Sequence, residues 1–310
     1  MRIRIAAVVC VTCAVLSLLA DEPASATIPP PKAKSATVSF TDIGLVEFDA
    51  PEEGCVIRYT LNGSTPNAKS FAYCTPLRVA SSLKLKAACF KADGTSSAPV
   101  EVECTRNAPD KKEPGAKPSA AINVDFSQTP DLKDWALRAQ KDADEYYPVI
   151  AEKLSGEGFE APRQITFIFI KAPKGIAYTV DKTITFVEGW IQAHPKDTGT
   201  VIHELTHVIQ AYKGKVPGWL TEGIADYIRW WNWEPATKRG RVDPLHAKYT
   251  NGYNDTAAFL FWIESTYDKQ FVNKINQDLR KGTYDDELFN KYAGKHLPEL
   301  WTEFIASLHK

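Results

Sequence analysis

The sequence has a single methionine, at its start, and only six histidines in 310 residues. It has no charge of one sign to spare, with 37 Lys and Arg against 38 Asp and Glu and a formal net charge of −1. Without a basic excess nothing drives the chain onto phosphate backbones, which excludes nucleic acid as a partner. After the first twenty residues no charge-free apolar run approaches the length of a bilayer span. No Cys-x-x-Cys pair occurs, which argues against a four-cysteine zinc site. Ordinary hydrophobic (44%) and charged (24%) contents exclude a disordered or fibrous chain.

What is present begins with Arg2 and Arg4, the charge-free run from Ile5 to Ala20, and Ala24-Ser25-Ala26. That order is the layout of a secretory signal peptide over residues 1–26. A retained anchor is the alternative, for which the run is short. The mature chain is therefore expected to be secreted, extracellular or periplasmic, monomeric, and free of the membrane. Four cysteines remain, Cys55, Cys74, Cys89 and Cys104. An even set confined to one region of an exported chain predicts two disulfides, with three connectivities open.

Residues 27–36 and 106–120 are rich in Pro, Lys, Ala and Ser and read as linkers, the Lys-rich part at 111–117 as a solvated tether. Between them, at 37–105, short alternating runs with Asn62-Gly63 and Asp93-Gly94 as turn signals predict a small antiparallel β-sandwich. The segment Ile57 to Pro66, with Tyr73-Cys-Thr-Pro76 and Leu85-Lys-Ala87, resembles the chitobiase/β-hexosaminidase C-terminal-type domain, although Asn62 stands where Asp is commoner. The resemblance implies an immunoglobulin-like accessory module, not a catalytic one.

The region 121–310 changes character. Strands are expected at 165–171 and 183–187, and helices at 131–154, 199–213, 217–231 and 255–267, with Pro148 ending or kinking the first. The result is an α+β domain behind a small all-β one. Within 199–213 lies His203-Glu204-Leu205-Thr206-His207, where Asp197 or Thr198 can cap the start of the helix and Gly214 its end. Histidines at i and i+4 leave one helix face together and can share a metal ion, with the glutamate between them as general base. A catalytic Zn²⁺ needs a third protein ligand and keeps one position for water. A third histidine six residues on would mark a metzincin, but position 213 is lysine and no methionine is available for a Met-turn. Downstream, Glu222 and Asp226 also stand four apart, so both carboxylates leave one face and spacing does not choose between them.

The pattern Thr221-Glu222…Ala225-Asp226 resembles the thermolysin-like gluzincins. It implies that Glu222 completes the zinc site with His203 and His207, and that Asp226 accepts a hydrogen bond from His203. The swapped assignment, with Asp226 as ligand, resembles the aspzincins. The short spacer between His207 and Glu222 demands a tight connection. Over 122–310 the chain resembles the basic secretory protein family of plant and microbial peptidases, through His203 to Gln210, Glu222 to Tyr227, Gly252 to Leu260 and Leu300 to Phe304. A zincin-like metallopeptidase domain is what these resemblances imply.

The expected function is peptide hydrolysis by metal-activated water, with Glu204 as the base. Tyr253 is the candidate donor to the oxyanion, with Tyr249 and Tyr227 as rivals and plain packing as the alternative. The strand at 183–187 is a candidate for pairing with an extended substrate. Trp230, Trp231 and Trp233 suit either a sugar platform or helix packing. Peptides or proteins are the expected substrates, with glycoprotein or cell-wall amides as variants. A non-catalytic glycan- or surface-binding protein with a structural zinc is the competing class, and Glu204 is the residue that such a site does not need.

Overall fold

The computed structural model describes residues 28–107, 117–234 and 236–308. The expected signal peptide and the linker stretch 108–116 lie outside the described residues. The alternating pattern of the first region gives β1 (Lys32–Ala33), β2 (Thr37–Phe40), β3 (Gly44–Val46), β4 (Phe48–Asp49), β5 (Val56–Thr60), β6 (Phe71–Ala72), β7 (Leu77–Val79), β8 (Leu83–Phe90) and β9 (Val100–Arg106). They form a five-stranded sheet in the order β2-β9-β8-β5-β6 and two ribbons, β1-β4 and β3-β7. Inward side chains of the sheet, such as Ile57, Leu85 and Val102, pack on Val46, Phe48, Leu77 and Val79 of the ribbons. Two expectations change. β2 runs parallel to β9, so the module is not wholly antiparallel. It also begins before residue 37, because Lys32–Ala33 pairs with Phe48–Asp49 and Ile28 is buried in the core.

The two expected disulfides are not there: Cys55, Cys74, Cys89 and Cys104 all carry free thiols. Cys55 and Cys89 are near neighbours, each shifting the other's thiol, whereas strand register keeps Cys104 away from Cys89. Cys89 lies across from Ile57, and Cys104 lies across from Leu83. The two points are separated along β8 by about 20 Å at the rise of a strand. Cys74 turns away, its sulfur 3.9 Å from Asp125 Oδ1 of the second region. Burial pushes the Cys104 thiol up to about 11, and burial with the Asp125 charge pushes Cys74 up to about 12.

The second region is built on β10 (Ala121–Asp125), β11 (Gln164–Ile170), β12 (Ala177–Val180) and β13 (Thr183–Val187), in the order β10-β11-β13-β12. The first three in that order are parallel, and β12 runs antiparallel on the edge. Parallel neighbours need a crossover, and α1 (Lys133–Lys153) supplies the one from β10 to β11. Pro148 does not end it; a 21-residue helix runs through. Trp135, Ala139, Ala143, Tyr147 and Ala151 recur every four residues and stay buried in the core. That packing outweighs the roughly 3 kcal/mol cost of an interior proline. The remaining helices are α2 (Glu188–Ala193), α3 (Gly199–Gln210), α4 (Gly218–Tyr227), α5 (Tyr253–Thr266), α6 (Phe271–Lys281), α7 (Glu287–Ala293) and α8 (Leu297–Ser307). The expected helix 217–231 is in fact α4 followed by a π-helical turn at Ile228–Trp233. Among the described residues no helix is long and apolar enough to cross a membrane.

The two regions meet through polar side chains that imitate a neighbouring strand. Asn123 accepts from the Arg78 N–H at 2.8 Å and donates to the Arg78 carbonyl at 3.0 Å. Gln164 accepts from the Ala80 N–H and donates to the same carbonyl, both at 3.1 Å. Asp125 accepts from the Ala72 N–H at 2.7 Å. The outer edge of β7 thus keeps its hydrogen bonds although β10 beside it forms no backbone ladder with it. The Arg78 guanidinium then reaches both oxygens of Asp144, at 2.8 and 2.7 Å.

Candidate metal centre

α3 is buried along nearly its whole length, as its apolar composition on most faces requires. It ends at Gln210, with Ala211 in the left-handed conformation (φ 47°), and not at Gly214 as expected. Arg280 caps this end, donating to the carbonyls of Gln210 and Ile209 at 3.1 and 3.2 Å. At the other end neither expected cap bonds a backbone N–H. Asp197 instead accepts from Thr200 Oγ1 (2.8 Å), Trp190 Nε1 (3.0 Å) and Arg229 (2.6 Å).

His203, Glu204 and His207 open into a cleft of about 680 Å³ that α4, β12 and the start of α5 also line. His203 Nε2 lies 3.1 Å from His207 Nε2 and 3.2 Å from Glu222 Oε2, and His207 Nε2 lies 3.6 Å from that oxygen. Among the described residues this trio is the group whose ligand atoms can surround an ion, all within 4.8 Å of one another. The opposite ring nitrogens are spoken for. His203 Nδ1 is 2.7 Å from Asp226 Oδ1, and His207 Nδ1 is 2.8 Å from Gln210 Oε1. Gln210 is oriented by its own amide, which donates to the Thr221 carbonyl at 2.9 Å, so its oxygen must face His207. Both imidazoles therefore donate from Nδ1 and turn bare Nε2 lone pairs toward a carboxylate. Three acceptors facing one another fit a cation that takes two nitrogens and one oxygen.

Without a cation a proton must stand in. Burial opposes charge on His203, but its bonds to Asp226 and Glu222 prevail and raise it to about 9. Burial likewise works to raise Glu222, yet the two imidazoles hold its carboxyl far below the usual range.

Glu204 is buried beside the cluster, and its Oε2 accepts from Thr179 Oγ1 of β12 at 2.7 Å. Tyr253 reaches the site as well. Its ring lies nearly parallel to that of His203, with centroids 6.1 Å apart, and its phenol is near Glu222. Burial and the negative charge of Glu222 and Asp226 raise that phenol above its ordinary value. Tyr253 sits at φ 45°, straight after Gly252 at φ 74°, a strained corner held where α5 meets α4. The contact is close at Gly223, where an added Cβ would stand 2.2 Å from Thr256 Cγ2. The rival tyrosines lie elsewhere. Tyr227 donates to buried Glu264 at 2.5 Å, and Tyr249 packs between Trp219 and Trp301.

His203, Glu204, His207, Glu222, Asp226 and Tyr253 line one cleft, and two further residues, missed in the sequence, contact them. Gln210 was findable, three residues after His207 on the same helix face. Thr179 carried no local signal. The tryptophans divide: Trp231 packs on Phe261 and Trp233 on Tyr146, whereas Trp230 lines the cleft beneath Arg229. The substrate-strand expectation is corrected. Thr183–Val187 is β13, hydrogen-bonded on both sides, and the open edge beside the cleft belongs to β12.

Fold and site together define a mixed α+β protein with a His-His-Glu cluster in an open cleft, behind an all-β module. Residues 143–304, just over half of the chain, match the family described as peptidase of plants and bacteria. The chain belongs to that family, the basic secretory protein peptidases. Residues 34–101 match the chitobiase/β-hexosaminidase C-terminal domain. Two solved structures resemble the chain at 12% identity and a TM-score of 0.41, covering 91% of it and 73% and 74% of their own lengths. They are a functionally unknown conserved protein from Bacillus anthracis str. Ames and a mutant of the same description. No curated protein matches the chain.

Proposed function

We propose that the protein is an exported, zinc-dependent peptidase of zincin-like fold and gluzincin type. The observation that carries this is the convergence of two bare imidazole nitrogens and the Glu222 carboxylate, with Glu204 buried beside them in an open cleft. His203, His207 and Glu222 are the ligands, and a donor set of two nitrogens and one oxygen suits Zn²⁺. When bound, the ion supplies Lewis acidity and brings the ionisation of water into the neutral range.

The chain's own residues do the rest. Asp226 and Gln210 hold the two rings in one tautomer and orientation. Glu204 takes a proton from water and returns it to the leaving amine, and the Thr179 hydroxyl keeps its carboxylate in place. Tyr253 donates a hydrogen bond to the substrate oxygen as charge develops there. The open edge of β12 gives an extended peptide backbone partners alongside.

Cleavage of casein by the mature chain and by Glu204→Gln, each with its zinc content measured, tests the proposal. Zinc in both and cleavage by the wild type alone supports it, with a loss on the order of 10²–10⁴ expected for removing a general base. Zinc in both with cleavage by neither moves the assignment to a structural site. A protein that cannot be loaded with zinc removes the ligand set.

A further inference from the structure

An edge strand beside a functional cleft is a liability unless it is used. Native edges are usually guarded by charge, proline or a bulge, because an unpaired ladder invites another chain. β12 has none of these guards: it reads Ala177-Tyr-Thr-Val180, and the nearest charge is Asp181 in the turn that follows. Its outward side chains are large and apolar. Ile176, Tyr178 and Val180 are 43%, 51% and 59% exposed, and they alternate with Ala177 and Thr179, which turn inward. Thr179 reaches Glu204, so the inward face is the one that meets α3.

The register across the sheet shows what surrounds the outward face. Val180 stands in a row with Thr183, Thr166 and Asn123, and Tyr178 in a row with Thr185, Ile168 and Asp125. The N-terminal module occupies the far end of these rows, where Asn123 and Asp125 bond its backbone. The near end carries three exposed apolar side chains, and Ile176 and Tyr178 also line the cleft that holds His203 and Glu204. An exposed apolar strip continuous with a cleft marks a binding surface.

We propose that the outward face of β12 is a specificity strip: Ile176, Tyr178 and Val180 select large apolar side chains at alternate residues of an extended polypeptide substrate. The inference rests on the peptidase reading. A strand added to the open edge of β12 shares its pleat, so every second substrate residue lies on the outward face. Each such residue has a β12 side chain directly opposite, at a Cβ separation of about 5 Å. The intervening residues turn toward the metal centre. The strip therefore imposes a period of two, independent of the residues at the scissile bond.

The test is a cleavage profile over a peptide library varied one position at a time, for the zinc-loaded wild type and Tyr178→Lys. The wild type should favour large apolar residues at three alternate positions, by roughly 1.4- to 5-fold each in kcat/KM. In Tyr178→Lys the middle one should turn to Asp or Glu while the two flanking it keep their preference. Tyr178 is half exposed, so an unchanged melting temperature is expected and separates this effect from misfolding. Affinity of the same peptides for Glu204→Gln and for the double variant Glu204→Gln/Tyr178→Lys gives a second readout that needs no turnover. Identical profiles in wild type and Tyr178→Lys overturn the strip and leave the peptidase intact. Cleavage of no peptide by either protein, with zinc bound, overturns the peptidase reading and the strip with it.

Discussion

Replacing Gly223 by alanine should damage the site from the position next to a ligand, without changing any ligand. Gly223 follows Glu222 on α4, at the place where α5 comes closest. A new Cβ would stand 2.2 Å from Thr256 Cγ2 and 2.5 Å from Thr256 Cβ. Carbon atoms settle at 3.5–4.0 Å, so the helices must part by roughly 1.5 Å. Overpacking of this kind costs about 1–3 kcal/mol. For a region of this size that lowers the melting temperature by roughly 3–10 °C. Tyr253 opens α5 one turn before Thr256, so the displacement carries the phenol away from Glu222. Cleavage should fall by about one to two orders of magnitude, short of the 10²–10³ lost when an oxyanion donor is deleted outright. Thr256→Gly in the same chain moves the missing Cβ to the other helix. It should recover part of both losses, limited by the lost bond from Thr256 Oγ1 to the Tyr249 carbonyl. Calorimetry and a peptidase assay on the single and double variants decide the matter. A Gly223→Ala protein with unchanged melting temperature and turnover refutes the claim that this contact sets the site.

Gln210→Leu should weaken zinc binding by about 10–100-fold in a chelator competition, because the bond that fixes His207 is lost while the ligands remain. In the zinc-free protein His203 is raised from 6.5 to about 9, so the fold favours its charged form. That contribution, on the order of 3 kcal/mol, is whole below about pH 6.5 and lost as pH rises through 9. Glu222, depressed from 4.5, contributes above that pH and loses its share as pH falls toward its folded value. The zinc-free melting temperature should therefore be highest between about pH 4.5 and 6.5 and decline toward 9.5, and saturating zinc should flatten the decline by displacing the proton. Equal zinc-free values at pH 6 and 9.5 count against the assignment. Asn123→Ala leaves the Arg78 N–H and carbonyl unpaired by that residue, at about 1–3 kcal/mol. Hydrogen exchange at Arg78 and Ala80 should accelerate in that variant while exchange in α3 stays the same.

Local spacing made half of this site legible. Histidines four apart, and carboxylates four apart, leave a helix on one side whatever the surroundings, so His203, His207, Glu222 and Asp226 could be named before any fold was known. Which carboxylate meets the nitrogens could not. That depends on how α4 lies against α3, a non-local arrangement tied by the Gln210 amide bond to the Thr221 carbonyl, and on the close approach of α5 to α4 at Gly223. Thr179 is 25 residues from Glu204 and reaches it only because the hairpin folds β12 back outside β13. The same fold-back explains why the strand nearest the motif in the chain is not the strand nearest the cleft. The cysteines mislead for a related reason. Their number suggested two pairs, but only Cys55 and Cys89 come close; Cys104 lies far along β8 from Cys89, and Cys74 belongs to the boundary with the next region.

The amide-for-strand contacts of Asn123 and Gln164 bear on how the module works at a distance. A module on a loose tether explores a volume, and the length and stiffness of its connection determine how often its cargo meets the catalyst. Directional bonds to successive backbone groups of β7 remove that freedom. Every surface of the module is thereby held at one bearing and one range from the cleft. Residues inserted between 107 and 117 would leave that geometry as it is, and the reach of the enzyme would be that of a fixed jig.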